Sequence, residues 1–223
     1  MILPFPGDLT STANGLLLLS LAAAILYGFA QSQAAAWRRS VVKSAAVGLL
    51  AVLSFVQDGP ILLTAALVAS AGGDAALSRP GDRAFMAGLA AFLLAHLAFA
   101  ALFVGRWWGV DLATWQWWRL AAGILLLALC GFMLRRLLPA VGPRLRWPIA
   151  GHVAAIAAMG LSALGVPGWG VPLGAGIFIA SDVILATDRF LLPQDFANRS
   201  WVRLAVWALY YTGQALITLA LLT

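Results

Sequence analysis

Two aspartates stand where an apolar chain rarely carries charge. Asp74 lies inside the run Leu67-Val-Ala-Ser-Ala-Gly-Gly-Asp74-Ala-Ala-Leu77, and Asp182 lies in Phe178-Ile-Ala-Ser181-Asp182-Val-Ile-Leu185. A carboxylate inside an apolar helix costs roughly 2.5–3.5 kcal/mol on insertion scales, so each needs a partner or a task. Few groups could supply one. Lys43 is the only lysine, His96 and His152 are the only histidines, and Ser181, Tyr210, Tyr211 and Gln214 complete the set. Two carboxylates with a histidine can do general acid–base work, one carboxyl holding a proton and the other ionised. Asp74, Asp182 and His96 are therefore the candidate catalytic groups, and which aspartate is acid and which is base stays open. Lys43, Ser181, Tyr210, Tyr211, Gln214 and His152 are the candidate substrate contacts. Gly72 and Gly73 clear side chains from the helix surface beside Asp74, so another helix or a bound molecule can come close there.

Other chemistries find little support. Ser70 and Ser181 sit in no nucleophile-elbow pattern. CxxC, HExxH and Walker-type loops are absent from the sequence, and the single cysteine, Cys130, excludes an intrachain disulfide. A metal needs three or four ligands, and no histidine–aspartate pair has ligand spacing along one helix. Neither a metal nor a cofactor is expected.

The elements that must position these groups are membrane helices. Of 223 residues, 63% are hydrophobic and 10% charged, with mean hydropathy +0.95. A soluble domain of this length could not hide that much apolar surface. The net charge of +6 then reads as membrane orientation, with nucleic acid excluded as a partner. Hydropathy and turn residues divide the chain into eight spans at 13–31, 41–56, 61–77, 84–104, 118–138, 147–164, 171–187 and 203–221. The expected fold is all-α, a polytopic eight-helix bundle forming one integral membrane domain over residues 1–223. The N-terminal run has no Lys or Arg ahead of it and outlasts a signal peptide, so it reads as a retained first span.

Twelve of the fourteen Lys and Arg residues fall in alternate loops, and only Arg106 and Arg119 lie on the other side. The positive-inside rule puts the four basic loops in the cytoplasm and both termini outside. The Ala/Arg/Leu bias points to a bacterial cell membrane. Tryptophans 37, 107, 108, 115, 117, 118, 147, 169 and 201 cluster at span ends as interfacial anchors. Counting about 1.5 Å per residue from the basic ends puts Asp74 about 7 Å deep, Asp182 and His152 about 9 Å, Tyr210 about 10 Å and His96 about 20 Å. Lys43, Asp74, His152, Asp182 and Tyr210 should share one layer around a cavity facing the basic side.

An internal echo links the aspartates. Both follow small residues, both precede a leucine three residues on, and both are followed by Asp-Arg and a Phe, at Asp82-Arg-Ala-Phe85 and Asp188-Arg-Phe190. This pattern fits two parallel four-span halves.

These residues also carry a resemblance. Gly73-Asp74-x-x-Leu77, Phe85-x-x-Gly88 and Phe92-Leu-Leu-Ala-His96 resemble the first signature of the YhhN-like lysoplasmalogenase family. Gly174-Ala-Gly-Ile-Phe178-Ile-Ala-Ser181-Asp182 is similar to the second, Tyr210-Tyr211-x-x-Gln214 to the last, and Lys43 stands where the family has a lysine. One departure is His152, which follows Pro148 by four residues where the resemblance implies a tyrosine. The resemblance implies an intramembrane hydrolase that cleaves the vinyl ether bond of a lysophospholipid, releasing a fatty aldehyde and a glycerophospho head group. Its partners would be that lysophospholipid and the surrounding membrane lipid. Vinyl ether cleavage starts with protonation at carbon and continues with water addition, which suits two carboxyls in different protonation states. His96 would then position water or relay a proton, and Lys43 with the arginines of the basic loops would hold the phosphate.

Two other classes share some of these features. A proton-coupled transporter of a small molecule or lipid would also use parallel halves and buried aspartates, although no span is clearly broken at mid-membrane. An intramembrane aspartyl peptidase also uses two aspartates, but its Gly-x-Gly-Asp pattern reads Ala71-Gly-Gly-Asp74 here.

Overall fold

The structure is a computed structural model that describes the chain except residues 1–3, 10, 32–36, 108–116 and 194–198. Among the described residues it is all-helical. The helices are α1 (Thr12–Ala30), α2 (Trp37–Val56), α3 (Ile61–Leu77), α4 (Asp82–Gly105), α5 (Trp117–Ala140), α6 (Pro143–Leu164), α7 (Gly170–Phe190) and α8 (Arg199–Leu222). Punctuation falls where the sequence places it. Pro60 precedes α3, Gly81 turns into α4 at φ 102°, and Pro143 opens α6, where its missing N–H costs nothing. Several helices outrun their expected spans, because basic residues beyond the apolar stretch continue the helical turns. Pro148, expected at the start of a span, lies inside α6.

Among the described residues, seven helices are long and apolar enough to cross a membrane. The eighth, α3, has 17 residues and covers about 26 Å at 1.5 Å per residue. Large apolar side chains point outward from the bundle, among them Phe29, Phe55, Ile61 and Leu125. Such a surface belongs in lipid, and the chain is an integral membrane protein. Trp37, Trp117, Trp147 and Trp201 are exposed, whereas Trp118 and Trp169 stack on each other at 4.1 Å. Trp108 and Trp115 lie outside the described residues.

The packing pairs α3 with α4 and α7 with α8, and adds contacts of α4 with α6 and of α2 with α8. Glycine sets the α7–α8 spacing. A Cβ on Gly213 would lie 2.8 Å from the Gly174 carbonyl oxygen, so only two glycines allow the backbones this close. One core cluster is built by α1 to α4 and α6 to α8, around Phe99, Phe103, Phe178, Leu67 and Met159, and Leu126 of α5 packs against it. A smaller one joins α5 and α6 through Met133, Leu137 and Ile149. At the end away from the basic loops, Arg119 donates to the carbonyls of Leu164, Val166 and Gly168, which supplies donors for the exit of α6.

Candidate active site

Asp74 lies in the last turn of α3 with 1% of its surface exposed. Both of its oxygens are engaged. Lys43 Nζ of α2 stands 2.9 Å from Oδ1, and the Tyr210 hydroxyl of α8 donates to Oδ2 at 2.8 Å. The lysine itself lies near two aromatic rings, with Nζ 5.7 Å from the Tyr27 centroid and 5.9 Å from that of Trp207. Trp207 is held in turn by donating its indole N–H to the Ala24 carbonyl at 2.9 Å. The glycine strip beside Asp74 admits α4. Gly73 faces the Phe92 ring, which an added Cβ would meet at 2.7 Å, while Gly72 faces open space.

Asp182 sits in the middle of α7 and meets His96 of α4, with Nε2 2.9 Å from Oδ2. The other ring nitrogen, Nδ1, stands 2.7 Å from the Phe92 carbonyl oxygen. A carbonyl can only accept, so Nδ1 carries a hydrogen. The contact between Nε2 and Asp182 must then contain one more proton, either as imidazolium with carboxylate or as imidazole with carboxylic acid. The pair holds one transferable proton in either form. Phe178 stacks on the His96 ring at 4.8 Å and fixes its plane. Depth counting set His96 well below Asp182, yet the two touch. The ends of α4 and α7 therefore do not lie at one level, and distance along a helix overstated the difference.

Both aspartates line one cavity of about 560 Å³. Lys43, His152, Ser181 and Tyr210 line it as well. His96 reaches it through Asp182. The apolar wall comes from α4, α5, α6 and α7, with Leu89, Leu129, Met133, Ile149, Val153 and Val183 among its residues. Arg39, Arg79, Arg189, Arg199 and Arg203 contribute cations to the lining, Arg79 from the turn between α3 and α4 and the others from helix ends next to basic loops. Arg199 lies 3.7 Å from Asp188, and Arg189 lies over the Phe85 ring at 4.9 Å.

Two expected substrate contacts are turned elsewhere. The Tyr211 hydroxyl shares a hydrogen bond with Ser20 of α1 at 2.9 Å, and Gln214 Nε2 donates to Ser70 of α3 at 3.1 Å. Ser181 Oγ donates to the Val206 carbonyl of α8 at 2.9 Å while still facing the cavity. Sequence reasoning missed Tyr27, Trp207 and the Phe92 carbonyl. An aromatic residue in an apolar helix carries no signal of what it will face, and a carbonyl carries none at all.

His152 projects from α6 toward the same centre. Its ring lies edge-on to His96, with centroids 5.1 Å apart, and its Nδ1 is buried without a hydrogen-bond partner. A nitrogen from each of His96 and His152 and a carboxylate oxygen of Asp182 all fall within 4.8 Å of one another. Such a trio could hold a metal ion. It is built from α4, α6 and α7, so a search for ligand spacing along one helix could not find it.

A family model described as the YhhN family matches residues 38–221. Lysoplasmalogenase TMEM86B of Homo sapiens is 35% identical over 195 residues, covering 83% of this chain and 76% of the relative. Its counterpart in Sus scrofa is 35% identical over 163 residues, covering 71% and 62%. Lysoplasmalogenase TMEM86A of Bos taurus is 29% identical over 164 residues, covering 69% and 62%. No solved structure gives a significant match.

Proposed function

The chain belongs to the YhhN family, and on that footing we propose that it hydrolyses the vinyl ether bond of lysoplasmalogens within the membrane. The products are a fatty aldehyde and a glycerophospho head group. The observation that carries this reading is the hydrogen-bonded His96–Asp182 pair, whose carboxylate lines a largely apolar cavity that also includes five arginines.

Asp182 with His96 serves as the acid. Its proton goes to the alkenyl carbon one removed from the ether oxygen, and positive charge develops across the neighbouring carbon and that oxygen. Asp74 plays the fixed part. Lys43 and Tyr210 occupy its two oxygens, and it in turn orients both of them at the cavity wall. A single-chain lipid would lay its tail along the α5–α6 wall and set its phosphate among the arginines. The lysine expected at the phosphate is already paired with Asp74, which leaves that task to Arg79, Arg189 and Arg203.

The wider arrangement belongs to the same proposal. One membrane domain of eight spans, α3 being the short one, would place the arginine-bearing helix ends in the cytoplasm and both termini outside, in a bacterial cell membrane. Two parallel halves are supported by the crosswise bonding of the aspartates. His96 of α4 serves Asp182 of α7, and Tyr210 of α8 serves Asp74 of α3.

The test follows aldehyde release by purified protein in detergent, from lysoplasmalogen and from the matching saturated ether lysolipid. Aldehyde from the vinyl ether alone, lost in Asp182→Asn, is the expected result. A folded protein that releases none would end this reading.

A further inference from the structure

We propose that His152 holds the hydrolytic water and takes its proton. This rests on the vinyl ether reading above and assigns the base that reading leaves open.

Four observations converge. His152 Nδ1 is buried without a hydrogen-bond partner, and buried polar atoms in folded proteins are nearly always bonded to protein or to ordered water. The residue lies on the wall of the reaction cavity, so water and substrate reach it together. Its cluster with His96 and Asp182 has the right scale. Two polar atoms up to 4.8 Å apart can share one water that stands about 2.8 Å from each. Finally, both oxygens of Asp74 are occupied by Lys43 and Tyr210, which leaves that carboxylate poorly placed to bind a water.

The proton count closes around His152. The His96–Asp182 pair gives its proton to the alkenyl carbon, and the carbon–carbon double bond becomes a single bond beside an oxocarbenium ion. Water adds its oxygen to the cationic carbon as a ring nitrogen of His152 takes one of its protons, giving a hemiacetal. Collapse of the hemiacetal breaks the bond to the glycerol oxygen. The proton on His152 goes to that leaving oxygen, and the hemiacetal hydroxyl proton returns to the His96–Asp182 pair. Both groups are then as they began, with one water consumed and no other reactant needed.

This order of events predicts a signature that a purely structural histidine would not give. Without His152 the carbon is still protonated, but water capture slows, and the cation can return a proton to the His96–Asp182 pair. Turnover in D2O by His152→Phe should therefore release aldehyde at least about 100-fold more slowly than wild type, the lower range for loss of a general base. Unconsumed lysoplasmalogen recovered from that reaction should carry deuterium at the protonated alkenyl carbon, while substrate recovered from wild type carries none. His152→Gln can hold a water without accepting its proton, so it should show the same labelling and covers the case in which the phenylalanine variant does not fold. Wild-type rates in either folded variant would overturn the proposal, and so would lost turnover without label in the recovered lipid. A stoichiometric metal ion required for activity would also overturn it, since His152 would then be a ligand. A wild-type protein that makes no aldehyde would remove the hydrolase reading and this inference together. Active wild type with unaffected His152 variants removes only the inference.

Discussion

The Tyr210 hydroxyl donates to Asp74 Oδ2 at 2.8 Å across the α3–α8 interface, from a residue 136 positions further along the chain. Replacing that tyrosine by phenylalanine leaves a buried carboxylate oxygen without its donor. Tyr210→Phe should lower unfolding stability in detergent by about 1–3 kcal/mol. An unchanged denaturation midpoint would show that the hydroxyl is not needed to satisfy Asp74.

The Lys43–Asp74 pair sets a sharper test. Breaking a buried ion pair from one side strands the other charge, at a cost of about 3–5 kcal/mol. Lys43→Met alone should therefore be strongly destabilising, whereas Lys43→Met combined with Asp74→Leu should recover much of the loss. Denaturation of the two single variants and the double variant gives the coupling energy. Simple additivity would mean that the 2.9 Å contact carries no coupling.

Asp182 and His96 share one proton and should fail together. Each of Asp182→Asn and His96→Phe is expected to reduce aldehyde release by about 10²–10⁴-fold, the usual share of a general acid. The double variant should be no worse than the poorer single, because the groups act as a unit. Multiplicative losses would assign them separate tasks.

Gly73 is where α3 accepts Phe92 of α4. A methyl group there would meet the ring at 2.7 Å, and the same residue's carbonyl orients His96. Gly73→Ala should cost about 1–3 kcal/mol by overpacking. It should also slow turnover, through a displaced His96. Stability lost with kcat intact would show that the carbonyl keeps its place when the ring moves.

Tyr211 and Gln214 discriminate between the reading of the sequence and the geometry. As substrate contacts their loss would raise KM. As interhelical bonds to Ser20 and Ser70 their loss would lower stability, by about 0.6 and at most about 1.7 kcal/mol each. The latter outcome is expected for Tyr211→Phe and Gln214→Met, with KM unchanged in steady-state assays of aldehyde release.

Much of this molecule could be read from the chain alone, for reasons of solvent. In lipid every backbone polar group must be satisfied inside its own helix, so hydropathy and proline–glycine punctuation locate the helices, although α2, α6 and α8 each begin four residues ahead of the expected span. The same solvent makes charge rare, so Asp74, Asp182, Lys43 and the two histidines stood out before any fold was known. Pairing was another matter. Which cation meets which carboxylate depends on how helices distant in sequence lean together, and spacing along one helix does not encode that. Only the tertiary structure set Lys43 and Tyr210 on Asp74, joined His96 to Asp182, and turned Tyr211 and Gln214 away from the cavity. It also brought His152 beside that pair from a third helix. The sequence thus determined which groups the membrane would force inward, and the packing of the helices decided which of them could exchange a proton.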